Sequence, residues 1–332
     1  MCLTKKYMKN QKLFVAIISI LFLLSPIWAK QISKYKKTEP EKGHLIKEVP
    51  FQKWKKKNYC GPAAMAMVLS YWTDNIQTQS KIAKGMHGFK GEIAYNSEMV
   101  FYPRTMGLMS YSFNGDIQTL KELIKKDIPL IVLHKPVKQI NKGHYRVIIG
   151  FDENSQQVIF HDPLLGKKFA AEYDTFNDLW HWGDNVNKNN WTLVVVPNDK
   201  KFESLQIESK YLTYINMATS YYRKEDYENS LKMWESASYE KPSEPYPVYS
   251  TAMIYIRLDE KQKALEYAEK AVSMDKKNAF SLDVLGLAYY KMGKLRESME
   301  ILSQSLEIAP DVGFIRKHYL MVRNEYIESH KK

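Results

Sequence analysis

A cysteine, a histidine and an aspartate occur in settings that suit nucleophilic catalysis. Cys60 begins the apolar run CGPAAMAMVLSYW, His144 begins the run HYRVIIGFD, and Asp162 ends the run QVIFHD. A thiolate is a good nucleophile, an imidazole beside it can accept and return a proton, and a carboxylate can orient that imidazole. These residue types indicate acyl transfer through a covalent intermediate on Cys60.

The position of Cys60 favours its ionised form. The run that follows it is apolar on nearly every side, which predicts a helix buried in the centre of a domain. Pro62 suits the first turn of that helix, because it has no amide hydrogen to leave unpaired. Cys60 would then lie at the helix N-terminus, where unpaired amides and the helix dipole stabilise a thiolate. The alternative is a small core residue.

His144 is the candidate base because it opens a hairpin that closes near Asp162. The turn DENS separates two apolar runs, which predicts two antiparallel strands. A turn centred after Glu153 places His144 opposite position 163, and a slip of one residue places it opposite Asp162. In either register the imidazole and the carboxylate would lie side by side at one edge of the sheet.

Each of these residues also has a structural interpretation. A histidine that starts a strand is more often structural than catalytic, and an Asp-Pro pair is more often a turn. His134 and His161 stay open as alternative bases. The joint placement of Cys60, His144 and Asp162 nevertheless favours a catalytic set over three separate structural roles.

The N-terminal segment, 1–29, has the parts of a secretory signal. A basic stretch, MCLTKKYMKNQK, precedes an apolar run that ends at Ala29. Removal of the signal would leave Cys60 as the one cysteine of the mature chain, which excludes a framework of internal disulfides. We therefore expect an exported protein, periplasmic or extracellular. The alternative is an uncleaved segment that anchors the protein in a membrane.

The net charge of +12 is unevenly distributed. Residues 30–60 contain ten lysines and three glutamates, whereas residues 205–332 contain nineteen basic and nineteen acidic side chains. The basic run predicts a solvated, flexible lead-in, and its functional alternative is loose association with an anionic membrane surface. Nothing besides charge indicates a nucleic-acid partner. The sequence contains no phosphate-binding loop and no metal-ligand spacing, so we expect no cofactor and no metal.

The C-terminal part of the chain repeats at a constant period. Three repeats of equal length begin at Tyr211, Pro245 and Ala279 without gaps. Small residues recur where two helices of one repeat must approach closely, at Ala218, Ala252 and Gly286, at Ser230, Ala264 and Ser298, and at Ala237, Ala271 and Ser305. This pattern resembles tetratricopeptide repeats over residues 211–312.

The resemblance to tetratricopeptide repeats implies an all-α solenoid with a concave groove. Such grooves bind peptides or partner proteins, and the last helix of the array needs a polar outer face. We hypothesise that the repeats dock a protein substrate or partner and take no part in bond cleavage. The alternative is a platform that packs on the neighbouring domain.

The motifs YCGPAAMAMVL, GHYRVIIGFD and FHDPLLG, in this order, resemble the double-glycine leader peptidase group of the papain-like cysteine peptidases. The resemblance covers about residues 45–197 and implies an α+β fold, in which a central helix packs on an antiparallel sheet. It also implies hydrolysis of peptide bonds by Cys60, His144 and Asp162. Such a domain joined to tetratricopeptide repeats behind a signal peptide resembles exported bacterial cysteine peptidases, whose substrates are peptides or proteins.

One position departs from the pattern of that group. The group places a glutamine of the oxyanion hole six residues before the cysteine, where this chain has Trp54. Gln52 is the nearest candidate, and the backbone amide of Cys60 is a second donor. The missing glutamine favours a noncatalytic binding scaffold, and the retained catalytic set argues against it. A cysteine-dependent amidase or acyltransferase would use the same residues.

Together these features divide the chain into segments. They are a signal (1–29), a basic lead-in (30–44), a catalytic domain (45–197), a linker (198–210), three repeats (211–312) and a capping helix with a tail (313–332).

Overall fold

A sheet with helices packed on it precedes an array of paired helices along the chain. The structure is a computed structural model that describes residues 36–37, 39–73, 75–86, 94–136, 142–181, 189–202, 205, 207 and 209–329. The predicted signal segment (1–29) lies outside the described residues.

Two compact units alternate along the sequence. The first contains the described residues up to Ala83, then Ala94 and Asn114–Val196. The second contains the described residues of 84–86, then Tyr95–Phe113 and those from Pro197 onward. A segment from within the predicted catalytic domain thus belongs to the same unit as the repeats.

The described residues form strands and helices up to Pro197 and helices alone after it. The strands are β1 (Lys36–Lys37), β2 (Gly43–Leu45), β3 (Leu108–Asn114), β4 (Leu130–His134), β5 (His144–Asp152), β6 (Gln157–Asp162), β7 (Gly166–Glu172) and β8 (Trp191–Pro197). The helices are α1 (Cys60–Trp72), α2 (Gln79–Gly85), α3 (Asn96–Arg104), α4 (Ile117–Ile124), α5 (Tyr173–Trp180), α6 (Tyr211–Arg223), α7 (Tyr227–Glu240), α8 (Pro245–Arg257), α9 (Lys261–Met274), α10 (Ala279–Lys291), α11 (Leu295–Ile308) and α12 (Gly313–Ser329).

The sheet of the first unit is antiparallel. Its strands lie in the order β1, β7, β6, β5, β4 and β8, and β2 pairs with β5 beyond the end of β4. Every residue of β5 is buried, because β5 lies inside the sheet and α1 and α4 pack on it. The centre of the core is therefore the strand that begins with His144.

Helix α1 is the buried helix that the sequence predicts. It begins at Cys60, and all of its residues from Gly61 to Leu69 are buried. It packs against β4 and β5. Other elements surround the helix, so none of its faces is left for solvent. This burial explains why the helix is apolar on all sides. Burial of the helix body also fixes the position of its first residue.

Part of the predicted flexible lead-in is ordered in the sheet, which corrects that prediction. Strand β1 pairs with β7, and β2 pairs with β5. The close approach of β2 requires Gly150, since a Cβ atom at that position would lie 2.7 Å from the carbonyl oxygen of His44. The sequence hides this pairing, because the lysines around both short strands are typical of solvated chain.

The repeats of the second unit keep their period in three dimensions. The first helices of the repeats (α6, α8 and α10) and α12 begin at one constant interval along the chain, and the second helices (α7, α9 and α11) begin at the same interval. Ser230 Oγ donates to the carbonyl of Ala218 over 2.8 Å, and Ser298 Oγ donates to the carbonyl of Gly286 over 2.7 Å. The recurring small residues therefore join the two helices of a repeat.

The second unit also contains α3 and β3, which pack with the first helix of the repeats. Ser220 Oγ donates to Glu98 Oε1 over 2.7 Å, in a contact that is fully buried. The amide of Ser112 on β3 donates to Thr213 Oγ1 over 2.9 Å. Residues far apart in sequence thus share one polar core.

No helix within the described part of the chain is long and apolar enough to cross a bilayer. The same part contains no group of three or more His, Cys, Asp or Glu side chains placed to share a metal ion.

Candidate active site

The hairpin of β5 and β6 brings His144 and Asp162 together. His144 Nε2 and Asp162 Oδ1 are 2.9 Å apart, and both side chains are buried. Val147 pairs with His161, and continuing this register places Asp162 beside Arg146 and diagonal to His144. The two side chains therefore meet at one edge of the hairpin, although neither predicted register is the observed one.

The observed register has two causes. The turn spans residues 153–156, so that Asp152 pairs with Gln157. A bulge between Ile148 and Gly150 then shifts the pairing by one residue. A bulge adds a residue to one strand only, and the amino-acid pattern of the strand does not reveal it. The turn is centred one residue further along the chain than predicted, so the prediction that position 163 or Asp162 faces His144 directly was wrong. The bulge brings the pairing one residue closer to that prediction.

The thiol of Cys60 lies at the exposed end of α1. Cys60 is partly exposed and has no disulfide partner, and its side chain is hydrogen-bonded to His144. Burial alone would raise the pKa of the thiol. The hydrogen bond and charge of His144, together with the backbone amides of Tyr145 and Gly61, outweigh burial and lower the pKa below its usual value. The thiolate is therefore favoured at this position.

His144 connects the thiol to the carboxylate. Burial alone would lower the pKa of its imidazole, but Asp162 and Cys60 outweigh burial and raise the pKa to about 9. Because Nε2 faces Asp162, Nδ1 is the ring nitrogen that remains for the thiol. The ring of Trp54 stands edge-on to the imidazole, with 6.2 Å between the ring centroids. Trp54 thus covers one side of the imidazole.

Asp162 is held as a carboxylate. Its Oδ1 accepts the amides of Leu164 and Leu165 over 2.8 Å and 3.0 Å, in addition to His144. Its Oδ2 accepts Arg146 Nε over 2.6 Å. Burial alone would raise the pKa of this carboxyl group, but the charges of His144 and Arg146 and these hydrogen bonds hold the pKa far below its usual range. Asp162 is therefore negatively charged near neutral pH.

Arg146 is a residue of the site that the sequence analysis missed. It is buried, and it lies two positions after His144 on the same strand. Alternate residues of a strand point to the same face, so Arg146 and His144 share a face. The available signal was a charged residue in an otherwise apolar run, which is rare in a buried strand unless the charge is paired.

The two alternative bases occupy other positions. His161 is bonded through both ring nitrogens to backbone, with Val49 at 3.1 Å and Lys168 at 3.1 Å, and burial lowers its pKa to about 4. His134 pairs with His144 across β4 and β5, and its Nδ1 bonds to the carbonyl of Lys135. Burial and the charge of Arg146 hold the pKa of His134 well below its usual value. Neither is hydrogen-bonded to the thiol.

Gln52 lies in the loop before α1 and is anchored to the start of α2. Its Nε2 donates to the carbonyl of Gln77 over 2.9 Å, and its Oε1 accepts Gln79 Nε2 over 3.4 Å. Gln79 is buried and also bonds to the backbone of Lys53 and Lys55. The sequence analysis missed this role of Gln79. The loop is therefore held by side chains of α2, and the oxyanion role of Gln52 stays a prediction.

The repeats contain a second candidate site, an apolar groove. A cavity of about 270 Å³ is lined by the side chains of Thr219, Tyr222, Trp234, Tyr246, Tyr249, Ser250, Met253, Phe280, Asp283, Val284, Phe314 and His318. Three of its rings, Tyr246, Phe280 and Phe314, recur at the period of the repeats. The tyrosine-rich repeats thus form a continuous aromatic surface, the aromatic groove, with contacts from Trp234 to Phe314.

Comparisons with known proteins match two parts of the chain separately, the part that contains the sheet and the repeats. Residues 46–191 match the Peptidase_C39 like family, and residues 249–278 and 281–312 match the tetratricopeptide repeat. No curated protein matches the chain significantly.

Solved structures resemble the two parts of the chain separately. The peptidase domain of Streptococcus ComA, a bifunctional ABC transporter involved in a quorum-sensing pathway, is 18% identical over 46% of this chain and 100% of that chain, with a TM-score of 0.37. The tetratricopeptide repeat domain of Aspergillus fumigatus Sgt2 is 18% identical over 37% of this chain and 82% of that one, with a TM-score of 0.35. The second such domain of human RPAP3, in complex with an HSP70 peptide, is 14% identical over 33% and 92%, with a TM-score of 0.31.

Proposed function

We propose that this protein, in which a Peptidase_C39-like domain precedes tetratricopeptide repeats, is an exported cysteine peptidase that hydrolyses peptide bonds. One observation carries the proposal, the continuous hydrogen-bonded set of Cys60, His144 and Asp162. A nucleophile, a base and an orienting carboxylate in this order are the parts that acyl transfer requires.

The first half of the reaction forms an acyl-enzyme. The Cys60 thiolate attacks the carbonyl carbon of the scissile bond, and a C–S bond forms. His144 then gives its proton to the leaving nitrogen as the C–N bond breaks, and the amine product departs. Asp162 keeps the imidazole oriented and stabilises its charged form before this transfer.

The second half returns the enzyme to its starting state. His144, now neutral, accepts a proton from water as the water oxygen attacks the thioester carbon. The C–S bond breaks, and the carboxylic acid product leaves. The negative oxygen of both tetrahedral intermediates needs donors. The amide of Cys60 is suited to this task, because the first residues of a helix have no acceptor within the helix, and Gln52 is the proposed second donor.

The aromatic groove is the proposed docking site for a protein substrate or partner. Flat, rigid aromatic side chains offer a large contact area at a small entropic cost, and they are enriched where proteins bind one another. The short cavity and the apolar rings suit an extended segment with bulky apolar side chains. Export of the protein is proposed from the signal-like pattern of residues 1–29, and loose contact with an anionic membrane from the lysines of residues 30–60.

The test measures cleavage and labelling of the mature chain. Purified protein is incubated with a mixed peptide library and, separately, with a peptidyl chloromethyl ketone, and the products are identified by mass spectrometry. We expect cleaved peptides and a single label on Cys60. Cys60→Ala and His144→Ala should abolish cleavage, whereas His181→Ala, on the surface of the same unit, should retain it.

The products also separate the alternatives. Peptides joined to an added amine, without hydrolysis, would identify an acyltransferase. Equal cleavage by the wild type and Cys60→Ala would refute the proposal. A folded wild type that neither cleaves nor takes the label would leave the binding scaffold as the function.

A further inference from the structure

The proposed reaction leaves one buried charge at the site without a role. Arg146 is 2% exposed, and its Nε donates to Asp162 Oδ2 over 2.6 Å. The ring of Phe160 lies 4.5 Å from the guanidinium carbon, which adds a cation–π contact. The guanidinium is therefore held in place on two sides.

Stability alone does not account for this pair. Removing an arginine and an aspartate from water costs about as much as their attraction returns, and well-packed apolar residues often stabilise a core more. The pair lies where the orienting carboxylate of the site is, and the two oxygens of that carboxylate have different partners. Oδ1 serves His144, and Oδ2 serves Arg146.

We propose that Arg146 is a positioning residue of the hydrolytic site, which fixes the Asp162 carboxylate beside His144 and offsets part of its negative charge. The inference rests on the proposed function. Fixing follows from geometry, since a carboxylate bonded at both oxygens has no freedom to rotate. The side chain of His144 is then oriented by a group that is itself fixed.

Several titratable groups face the Asp162 carboxylate, and their charges decide how much of its negative charge Arg146 offsets. These groups are Cys60 on α1, His134 on β4, and His144 and Arg146 on β5. His134 is neutral near pH 7, because burial and the charges of Arg146 and His144 hold its pKa well below the usual value. Arg146 is thus the one fixed cation beside Asp162 among these groups.

Loss of that cation should make His144 a poorer acid. The full charge of Asp162 would then act on the imidazolium and raise the pKa of His144 above its present value of about 9. A general acid works best with a pKa near the working pH, so a higher pKa slows proton transfer to the leaving amine. The expected signature is a displaced basic limb of the pH profile.

The test compares the pH profiles of the intact mature chain and its variants. Cleavage of a peptide gives kcat/KM between about pH 5 and pH 10. Alkylation by iodoacetate, whose carboxylate is attracted by the imidazolium, reports the ionisation of Cys60 and His144 without any substrate. Arg146→Gln should move the basic limb of both profiles upward by about one pH unit. Arg104→Gln is the matched control, since Arg104 Nε bonds to Ser110 Oγ over 2.9 Å in the other unit, and it should move neither limb.

Two further variants keep the inference falsifiable. In an Asp162→Asn background, Arg146→Gln should cause no further loss of kcat, because Arg146 positions the imidazole through that carboxylate. Arg146→Lys keeps the charge but lacks the planar fork, so the limb should stay in place while kcat falls about tenfold. This variant replaces Arg146→Gln if circular dichroism shows that the latter does not fold.

The outcomes separate the two proposals. If the wild type cleaves the peptide and Arg146→Gln leaves the basic limb unmoved, the role of Arg146 is overturned and the peptidase proposal stands. Full activity in Arg146→Lys, where that variant replaces Arg146→Gln, has the same meaning. A wild type without cleavage, but with an alkylation limb that shifts in Arg146→Gln, refutes the peptidase and retains the positioning role.

Discussion

At the scale of single residues, the site depends on a proton shared between a thiol and an imidazole. The pKa of Cys60 is lowered, and the pKa of His144 is raised to about 9. Between these two values the thiolate and the imidazolium coexist, and this is the reactive form. Activity should therefore rise as pH passes the thiol pKa and fall as pH passes about 9.

Asp162→Asn should narrow the pH range of activity by lowering its basic limit. An amide carries no charge to stabilise the imidazolium, so the pKa of His144 falls below about 9 and the basic limb moves to lower pH. The limb is measured from kcat/KM against pH. Asp127→Asn is a matched control, since Asp127 pairs with His44 over 2.7 Å on the surface. A basic limb that stays in place in Asp162→Asn would contradict the assigned cause of the shift.

The types and order of the residues predict the catalytic set, but they do not predict the side chains that pack around it. The sequence identifies Cys60, His144 and Asp162 as one set because their order and their neighbours suit the chemistry, and the structure brings the three together. Arg146 escapes the same reasoning. Its partner is known only once the strand register is known, and the turn and a bulge together set that register.

At the scale of elements, the loop before α1 carries Gln52, whose side chain is bonded to residues at the start of α2. Gln52→Ala should lower kcat by about a hundredfold if the amide donates to the oxyanion. The single-turnover rate of acyl-enzyme formation gives the clearest measurement, because it excludes product release. Gln118→Ala, an exposed glutamine bonded to Glu122, is the control. A loss smaller than severalfold would assign the role to backbone amides.

The helix pairs of the repeats depend on close contact. A Cβ atom on Gly286 would lie 2.5 Å from Cγ of Leu302, which is fully buried. Gly286→Ala should therefore destabilise the repeats by about 1–3 kcal/mol, as overpacking of a core does. Gly313→Ala makes the same change where nothing lies within 4 Å. Urea unfolding followed by circular dichroism measures both, and equal midpoints would contradict the expected clash.

The predicted fold class is confirmed, and the elements show why. A constant period with small residues in register constrains a helix pair strongly, so the repeats could be predicted from the sequence. The buried helix α1 could be predicted as well, since its apolar character exceeds what an amphipathic helix needs. Strands β1 and β2 could not, because their pairing relies on backbone bonds that lysine-rich sequence does not reveal.

At the scale of the whole molecule, the repeats have a structural role besides the proposed docking. Helix α6 covers Glu98 and Ser112, which lie within the predicted catalytic domain (45–197). Deletion of residues 205–332 should remove these hydrogen bonds and expose to water the apolar surface of α3 that α6 covers, including the ring of Phe101. We expect a truncated protein of low solubility, measured by its soluble yield and thermal melting.

A smaller change tests the same contact. Ser220→Ala removes the bond to Glu98, whereas Ser236→Ala removes an exposed bond within α7. The first should lower the melting temperature of the second unit and the second should not. A truncated protein that is soluble, folded and fully active on short peptides would refute this structural role of the repeats.

Because segments of the two units alternate along the chain, residues that pack together are translated at different times. A ribosome completes Glu98 well before it reaches Ser220, and the same holds for Ser112 and Thr213. Until α6 is made, α3 and β3 lack the surface on which they pack. The nucleophile, the base and the carboxylate are all translated before that moment, and residues 95–113, which lie between Cys60 and His144, cannot pack on α6 until then. A chain interrupted before α6 therefore contains every group of the site, but its α3 and β3 lack the helix on which they pack.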